Sequence, residues 1–255
     1  VKDIYMMVFQ ISPDSQLDPT SASRSSLKFN YKDYPELESL VTLRKLSKGQ
    51  IKVSCGESSF SPEVLIADST FFTLFDFKLL IGNKKTILSD PGIAIITEDY
   101  ARKIFGDKDP VGQEIKVTES DVKTYTIKGI IEKIPSNSSI TFDIVLPIHS
   151  GSYNRGVEAD FLLVTNKFNQ EEFVKKIETL GHSIFAESKL SLISFDDIYF
   201  YENHSFTFEL IFSRFGDKKN VYVLCVIMLI VFAITALNFS GFQVIQINAG
   251  IKSIG

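Results

Sequence analysis

The side chains dense enough to suggest chemistry lie at Asp196, Asp197, Glu202 and His204, within the run DDIYFYENH. Carboxylates and an imidazole this close can be ligands for a divalent metal. The same run also reads as the solvated end of a strand, and no metal ligand is assigned to it. His149, His182 and His204 are scattered and share no ligand spacing. Asp107 and Asp109 flank a Gly-containing turn, but their spacing does not fit a calcium-binding helix–loop–helix. Asn137-Ser138-Ser139 and Asn203-His204-Ser205 fit a glycosylation sequon; such matches are common by chance and mean nothing if the source is bacterial. No phosphate-binding GxxxxGK[ST] loop occurs, nor GxGxxG, HExxH, CxxC or GxSxG. No catalytic, cofactor-binding or metal-binding residue is therefore assigned, and no cofactor is expected.

Cys55 lies in a polar stretch and Cys225 in an apolar one, a pair of settings that argues against a mutual disulfide. The net charge is −4 and no basic stripe is present, which argues against nucleic acid as a partner. The chain is 44% hydrophobic with 22 Phe and no Trp, enough for a large ring-filled core. It begins at Val1 without an initiator Met and reads as a piece of something longer.

The elements that would position such residues are short and mixed. Ile4 to Ile11 reads as a buried strand, and Ser12 to Ser26 as a loop. Tyr34 to Arg44, with Leu37, Leu40 and Val41 at helical spacing, predicts a short amphipathic helix. Ile51–Cys55, Val64–Ala67, Ile93–Ile96, Tyr125–Ile134, Ile140–Leu146 and Ser191–Tyr201 read as strands. Asp68 or Ser69 can cap a short helix carrying Phe71, Phe72, Leu74 and Phe75. Thr97 can cap another, with Glu98 and Asp99 at its positive end and Gly106 stopping it. Asn169 starts a third, with Phe173, Ile177 and Leu180 on one face and Gly181 at its end. Short strands interleaved with short helices predict an α+β fold.

Val221 to Leu237 contains no charge. Seventeen helical residues span about 26 Å, and extension through Phe242 brings the length to that of a bilayer core of about 30 Å. This run is expected to be a transmembrane helix over 221–242, with 243–255 as its continuation. Lys218 and Lys219 before the run and Lys252 after it do not fix its orientation.

Several segments together resemble the periplasmic core domain of MacB-like, FtsX-like permeases of the Bacteroidota type. Ile93 to Gly112 (IAIITEDYARKIFGDKDPVG) is the most specific, matching "V-x-T/S-E-x-x-A-x-x-x-FG-x-x-DP-x-G". Asp68 to Gly82 resembles "FF-x-x-FDF-x-L-x-x-G", and Tyr125 to Ser138 resembles "Y-x-V-x-G-V-x-x-x-x-P-x-x-S". Tyr34 to Glu38 and Leu192 to Phe200 fit further family segments, in order along the chain. After the apolar run, Asn238–Phe242 and Ile251–Gly255 depart from the family pattern, with Ser253 where Glu is expected.

The resemblance implies a two-lobed domain, with residues 1–59 and 149–220 as one lobe and 60–148 as an inserted second. It implies residues 1–220 on the periplasmic side of a bacterial inner membrane. The implied function is that of a non-catalytic permease subunit of an ABC-type transport system, performing export or periplasmic work. The implied partners are a separate cytoplasmic ABC ATPase, a second permease copy, a periplasmic protein and membrane lipid. A membrane-anchored scaffold or sensor regulating a periplasmic partner is the alternative.

Overall fold

The computed structural model describes residues 3–10, 30–46, 49, 51–119, 121–150, 157–181, 189–201 and 206–252. Residues up to Phe215 form one body, and those from Gly216 onward form a second. The described residues of the first body are α+β, as the pattern of short elements predicts.

Twelve strands among the described residues make one mixed sheet. They are β1 (Ile4–Gln10), β2 (Leu37–Leu46), β3 (Lys52–Cys55), β4 (Ser58–Phe60), β5 (Val64–Ala67), β6 (Leu79–Ile81), β7 (Ile93–Thr97), β8 (Glu114–Thr118), β9 (Val122–Ile131), β10 (Ile144–Pro147), β11 (Val157–Val164) and β12 (Lys189–Ser194). Their order is β12-β1-β11-β2-β5-β10-β7-β9-β8-β3-β4, with β6 paired to β9. The pairs β5–β10 and β7–β9 are parallel. Strands β3 and β4 join the sheet through β8.

Alternation along the central strands sends side chains to opposite faces. Val8, Val41, Leu43, Leu65, Val145, Ile95 and Phe161 point to one face and build a Phe-rich core. On the other face, Met7, Leu40, Leu162, Leu190 and Leu192 form a cluster under α3 (Gln170–Gly181), which contributes Phe173 and Ile177. Leu46, Ile66, Ala94, Ile96, Ile127 and Ile144 form a third cluster with Tyr100 and Ala101 of α2 (Glu98–Phe105). The Phe-rich face also holds Phe71 and Phe72 of α1 (Phe71–Leu74), Ile198 of α4 (Phe195–Ile198), and Phe208 and Ile211 of α5 (Phe206–Ile211).

The sequence signals hold at the starts of α2 and α3 and at the end of α2. Thr97 Oγ1 accepts from Tyr100 N at 3.3 Å, and Gly106 ends α2 at φ +60°. Asn169 Oδ1 accepts from the amides of Glu171 and Glu172. At α1 the expected cap is corrected: the N-cap is Thr70, without a side-chain cap bond, rather than Asp68 or Ser69, and Asp68 Oδ1 accepts from Thr70 N at 2.9 Å in the turn before it.

Two further expectations are corrected. Tyr34–Arg44 is not a helix: Leu37 onward is β2, preceded by a 3-10 turn over Tyr31–Asp33. This strand pairs with β11 along its length and with β5 from Leu43 to Leu46, and it is covered on both faces, so Leu37, Leu40 and Val41 are all buried. A strand buried on both faces loses its period-2 signature, and its apolar positions then mimic helical spacing. Ser191–Tyr201 is not strand throughout. It stops at Ser194 and turns into α4, whose first turn carries Asp196 and Asp197 where a helix N-terminus favours negative charge.

The second body is α6 (Lys218–Lys252), a single helix. Asp217 Oδ1 accepts from Lys219 N at 2.8 Å at its start. Its segment Lys218–Gly241 is long and apolar enough to cross a membrane, and none of it is buried. Within the apolar stretch, Thr235 Oγ1 donates to Val231 O and Ser240 Oγ to Ala236 O, each at 2.8 Å. These bonds satisfy both hydroxyls inside the helix, as an apolar surrounding demands.

Candidate functional site

Among the described residues, the polar residues singled out from sequence are not gathered. Asp196 and Asp197 are exposed on α4, while Glu202 and His204 lie outside the described residues. His149 is exposed in a 3-10 turn, and His182 also lies outside. Asp109 Oδ1 accepts from Val111 N at 2.9 Å, which makes it a turn residue. Cys55 and Cys225 are both free thiols. Among the described residues no three His, Cys, Asp or Glu side chains stand together as a metal site.

What the fold does assemble is a polar seam across the middle of the sheet. Along one face of β2 the side chains run Leu40, Thr42, Arg44, Leu46, so two polar residues separate the cluster under α3 from the cluster under α2. Thr42 Oγ1 donates to Asp160 of β11, its cross-strand partner, and Thr42 N donates to Asp68 Oδ2 at 2.9 Å. Arg44 pairs with Glu158, also directly opposite, with Nε at 3.1 Å from Oε2. Thr70 Oγ1 donates to Leu40 O at 2.9 Å. Just beyond, Lys45 Nζ lies 3.4 Å from Glu63 Oε2, and Thr141 Oγ1 donates to the same carboxylate oxygen at 2.9 Å. Thr42, Asp68 and Asp160 are all buried. Buried carboxylates need such donors, because an unpaired buried charge costs several kcal/mol, of order ~3–5. The seam is a hydrogen-bonded splice between two parts of one sheet. Its carboxylates are occupied by neighbouring donors, an arrangement suited to holding strands in register.

Grooves mark the surface of the described residues. A cleft of about 410 Å³ lies between Phe75–Lys78, Phe195 and the loop from Pro135 to Ile140. Its rings are half-buried or buried, and its rim carries Asp76, Lys78, Glu132 and Lys133. Asn137, Ser138 and Ser139, read from sequence as a loop and sequon, form its polar lip. A second groove of about 430 Å³ runs between α3 and β12, where Gln170 Nε2 donates to Leu192 O at 3.1 Å. Neither groove was legible in the sequence, since each is lined by residues far apart in the chain.

Elsewhere, charge pairs tie helices and turns to the sheet. Lys176 of α3 sits 2.8 Å from Glu36 at the start of β2, and this hydrogen bond holds the Glu36 carboxyl below the usual carboxylate range. Asp90 is lowered chiefly by the Gly92 N–H it accepts at 3.0 Å. Burial pushes the Tyr100 phenol well up; its hydroxyl is buried without a hydrogen-bond partner among the described residues.

An α+β body, followed in the chain by one helix long and apolar enough to cross a membrane, is the class that the fold defines. The chain belongs to the MacB-like periplasmic core domain family, which matches residues 3–180. Solved structures share its fold, among them these three. A domain of a protein described as a permease from Porphyromonas gingivalis superposes with a TM-score of 0.57 at 21% identity, over 74% of this chain and 89% of that one. The periplasmic region of MacB from Actinobacillus actinomycetemcomitans gives 0.55 at 15%, over 76% and 90%. The extracellular domain of the noncanonic ABC-type transporter YknZ from Gram-positive bacteria gives 0.55 at 13%, over 73% and 99%. No curated protein matches the sequence.

Proposed function

We propose that this chain is the periplasmic domain and following membrane helix of a permease subunit in an ABC-type system, coupled mechanically to an ATPase on a separate cytoplasmic chain. One observation carries the reading: the family match is joined to an uninterrupted helix. Phe215 packs against the Phe-rich core, and α6 begins at Lys218 after only Gly216 and Asp217. A flexible linker would absorb displacement of the helix, whereas two residues leave little slack. The body would then be the working part, performing export or periplasmic work with a partner protein. The subunit is non-catalytic in this reading, since the buried carboxylates of the seam are committed to strand-to-strand bonds.

In the same reading residues 1–220 face the periplasm, 243–255 enter the cytoplasm of a bacterial inner membrane, and two permease copies assemble. The two lobes of the family would meet at the β2–β5 pair, beside the polar seam. Because β3 and β4 pair through β8, the inserted lobe would begin nearer Leu46 than Ser59.

The test is to purify the full-length membrane protein in detergent and assay what accompanies it. A stoichiometric ATPase, whose turnover changes when the Val221–Leu237 stretch is disrupted, supports the proposal. Absence of an ATPase, together with retention of a periplasmic protein by the body, replaces it with the scaffold or sensor alternative.

A further inference from the structure

Between the body and the membrane helix the chain is held at two kinds of anchor. Phe212, 1% exposed, is locked among rings: its centroid lies 6.1 Å from Phe208, 6.3 Å from Phe161, 6.5 Å from Phe195 and 6.3 Å from Phe215. The next residue, Ser213, is exposed and makes a different contact. Its amide donates to Ser139 O at 2.8 Å, and its Oγ donates to the same oxygen at 3.1 Å. One carbonyl of the Pro135–Ile140 loop thus takes two bonds from a residue five positions before α6 begins.

The two anchors differ in stiffness. Phe212 sits in a close-packed core, where side chains have little room to give. The Pro135–Ile140 loop is irregular chain at the surface, the kind of segment that opens at low cost. It is also internally braced, with Ser138 N donating to Pro135 O at 3.0 Å and Ser138 Oγ to Ile140 O at 2.8 Å, so it shifts as a unit. This loop is one wall of the 410 Å³ cleft, and Phe195, the ring neighbour of Phe212, is in another.

We infer that Ser213–Phe215 is the joint through which displacement of the membrane helix reaches the body, and that the part it moves is the Pro135–Ile140 wall of the cleft. The inference rests on the mechanical reading above and names where in the body the motion arrives. Pulling on α6 draws Phe215, only partly buried at the margin of the core, and with it Ser213 about the fixed Phe212, and the paired hydrogen bonds carry Ser139 with it. The cleft changes width while the sheet stays rigid.

The test moves the helix with lipid, so that no ATPase is required. The full-length protein is reconstituted into bilayers of dimyristoleoyl or dierucoyl phosphatidylcholine, whose different thickness changes the tilt of a spanning helix. Amide hydrogen exchange is followed by mass spectrometry at 135–142. The expected result is about a threefold or larger change in exchange rate at this loop between the two lipids, with β10 and β5 amides unchanged. In Ser213→Pro, which removes both donors, the lipid response is lost; Ser213→Thr, which keeps them, retains it. A loop whose exchange is the same in both lipids overturns the inference, as does a response that survives Ser213→Pro in a protein with unaltered β-sheet protection. Either failure leaves the ATPase co-purification result untouched, and absence of an ATPase leaves this result untouched.

Discussion

Thr42 shows how one side chain can hold a sheet together. Its hydroxyl serves Asp160 and its amide serves Asp68, two carboxylates far from it in sequence. Thr42→Val keeps the shape and the amide bond but leaves a buried carboxylate short of one donor. It is expected to lower unfolding stability by about 1–3 kcal/mol in urea denaturation. Glu36 is a milder case, paired with Lys176 at the surface. Its lowered carboxyl pKa means the pair stabilises above the unfolded value, near pH ~4.3, and that this is lost as pH falls through the folded value. Glu36→Gln should therefore lower Tm by about 1–2 °C at neutral pH, with the difference gone by about pH 3 in parallel melts. None of these partners was legible from sequence, because side-chain pairing across a sheet depends on strand register. The residues that did stand out, Asp196 and Asp197 among them, are acidic helix starts.

At the scale of elements, local chemistry was readable and long-range burial was not. Thr97, Asn169 and Gly106 sit where caps and stops were expected, since each acts on its own neighbours within a turn. The strand β2 was misread because its burial comes from β11, β5 and two covering layers, none of which its own residues encode. Gly129 in β9 carries a similar lesson. A Cβ there would stand 2.5 Å from Ile87 Cδ1 and 3.1 Å from Ile95 Cγ2, and the same Ile87 methyl is 2.5 Å from a Cβ at Gly82. The 3-10 turn at Ile87–Ser89 thus lays one side chain onto two glycine backbones. Gly129→Ala is expected to cost about 1–3 kcal/mol by overpacking. Adding Ile87→Val, which removes the clashing methyl, should recover at least about 0.5 kcal/mol in a double-mutant cycle. Purely additive losses would mean the glycine is needed for another reason.

The described residues of the first body form one sheet between a ring-filled layer and aliphatic layers, and the second body is one long helix. The helix is about 52 Å long by its 35 residues, well beyond a bilayer core of about 30 Å. Gln243, Gln246 and Asn248 fall in the part past the apolar segment, as expected where a helix leaves lipid. Ile230 lies near the middle of Lys218–Gly241. Ile230→Arg should disfavour insertion by about 3 kcal/mol, seen as a large rise in the fraction released by alkaline carbonate. The central claim is that the body lies outside and the helix returns the chain to the cytoplasm. The direct measurement is cysteine labelling of the full-length protein in intact spheroplasts with a membrane-impermeant maleimide, in a Cys55→Ser, Cys225→Ser background. Asn137→Cys at the cleft lip should label in intact spheroplasts, and Lys252→Cys only after the membrane is opened. The reverse pattern, with Lys252→Cys labelled from outside and Asn137→Cys protected, would contradict the account.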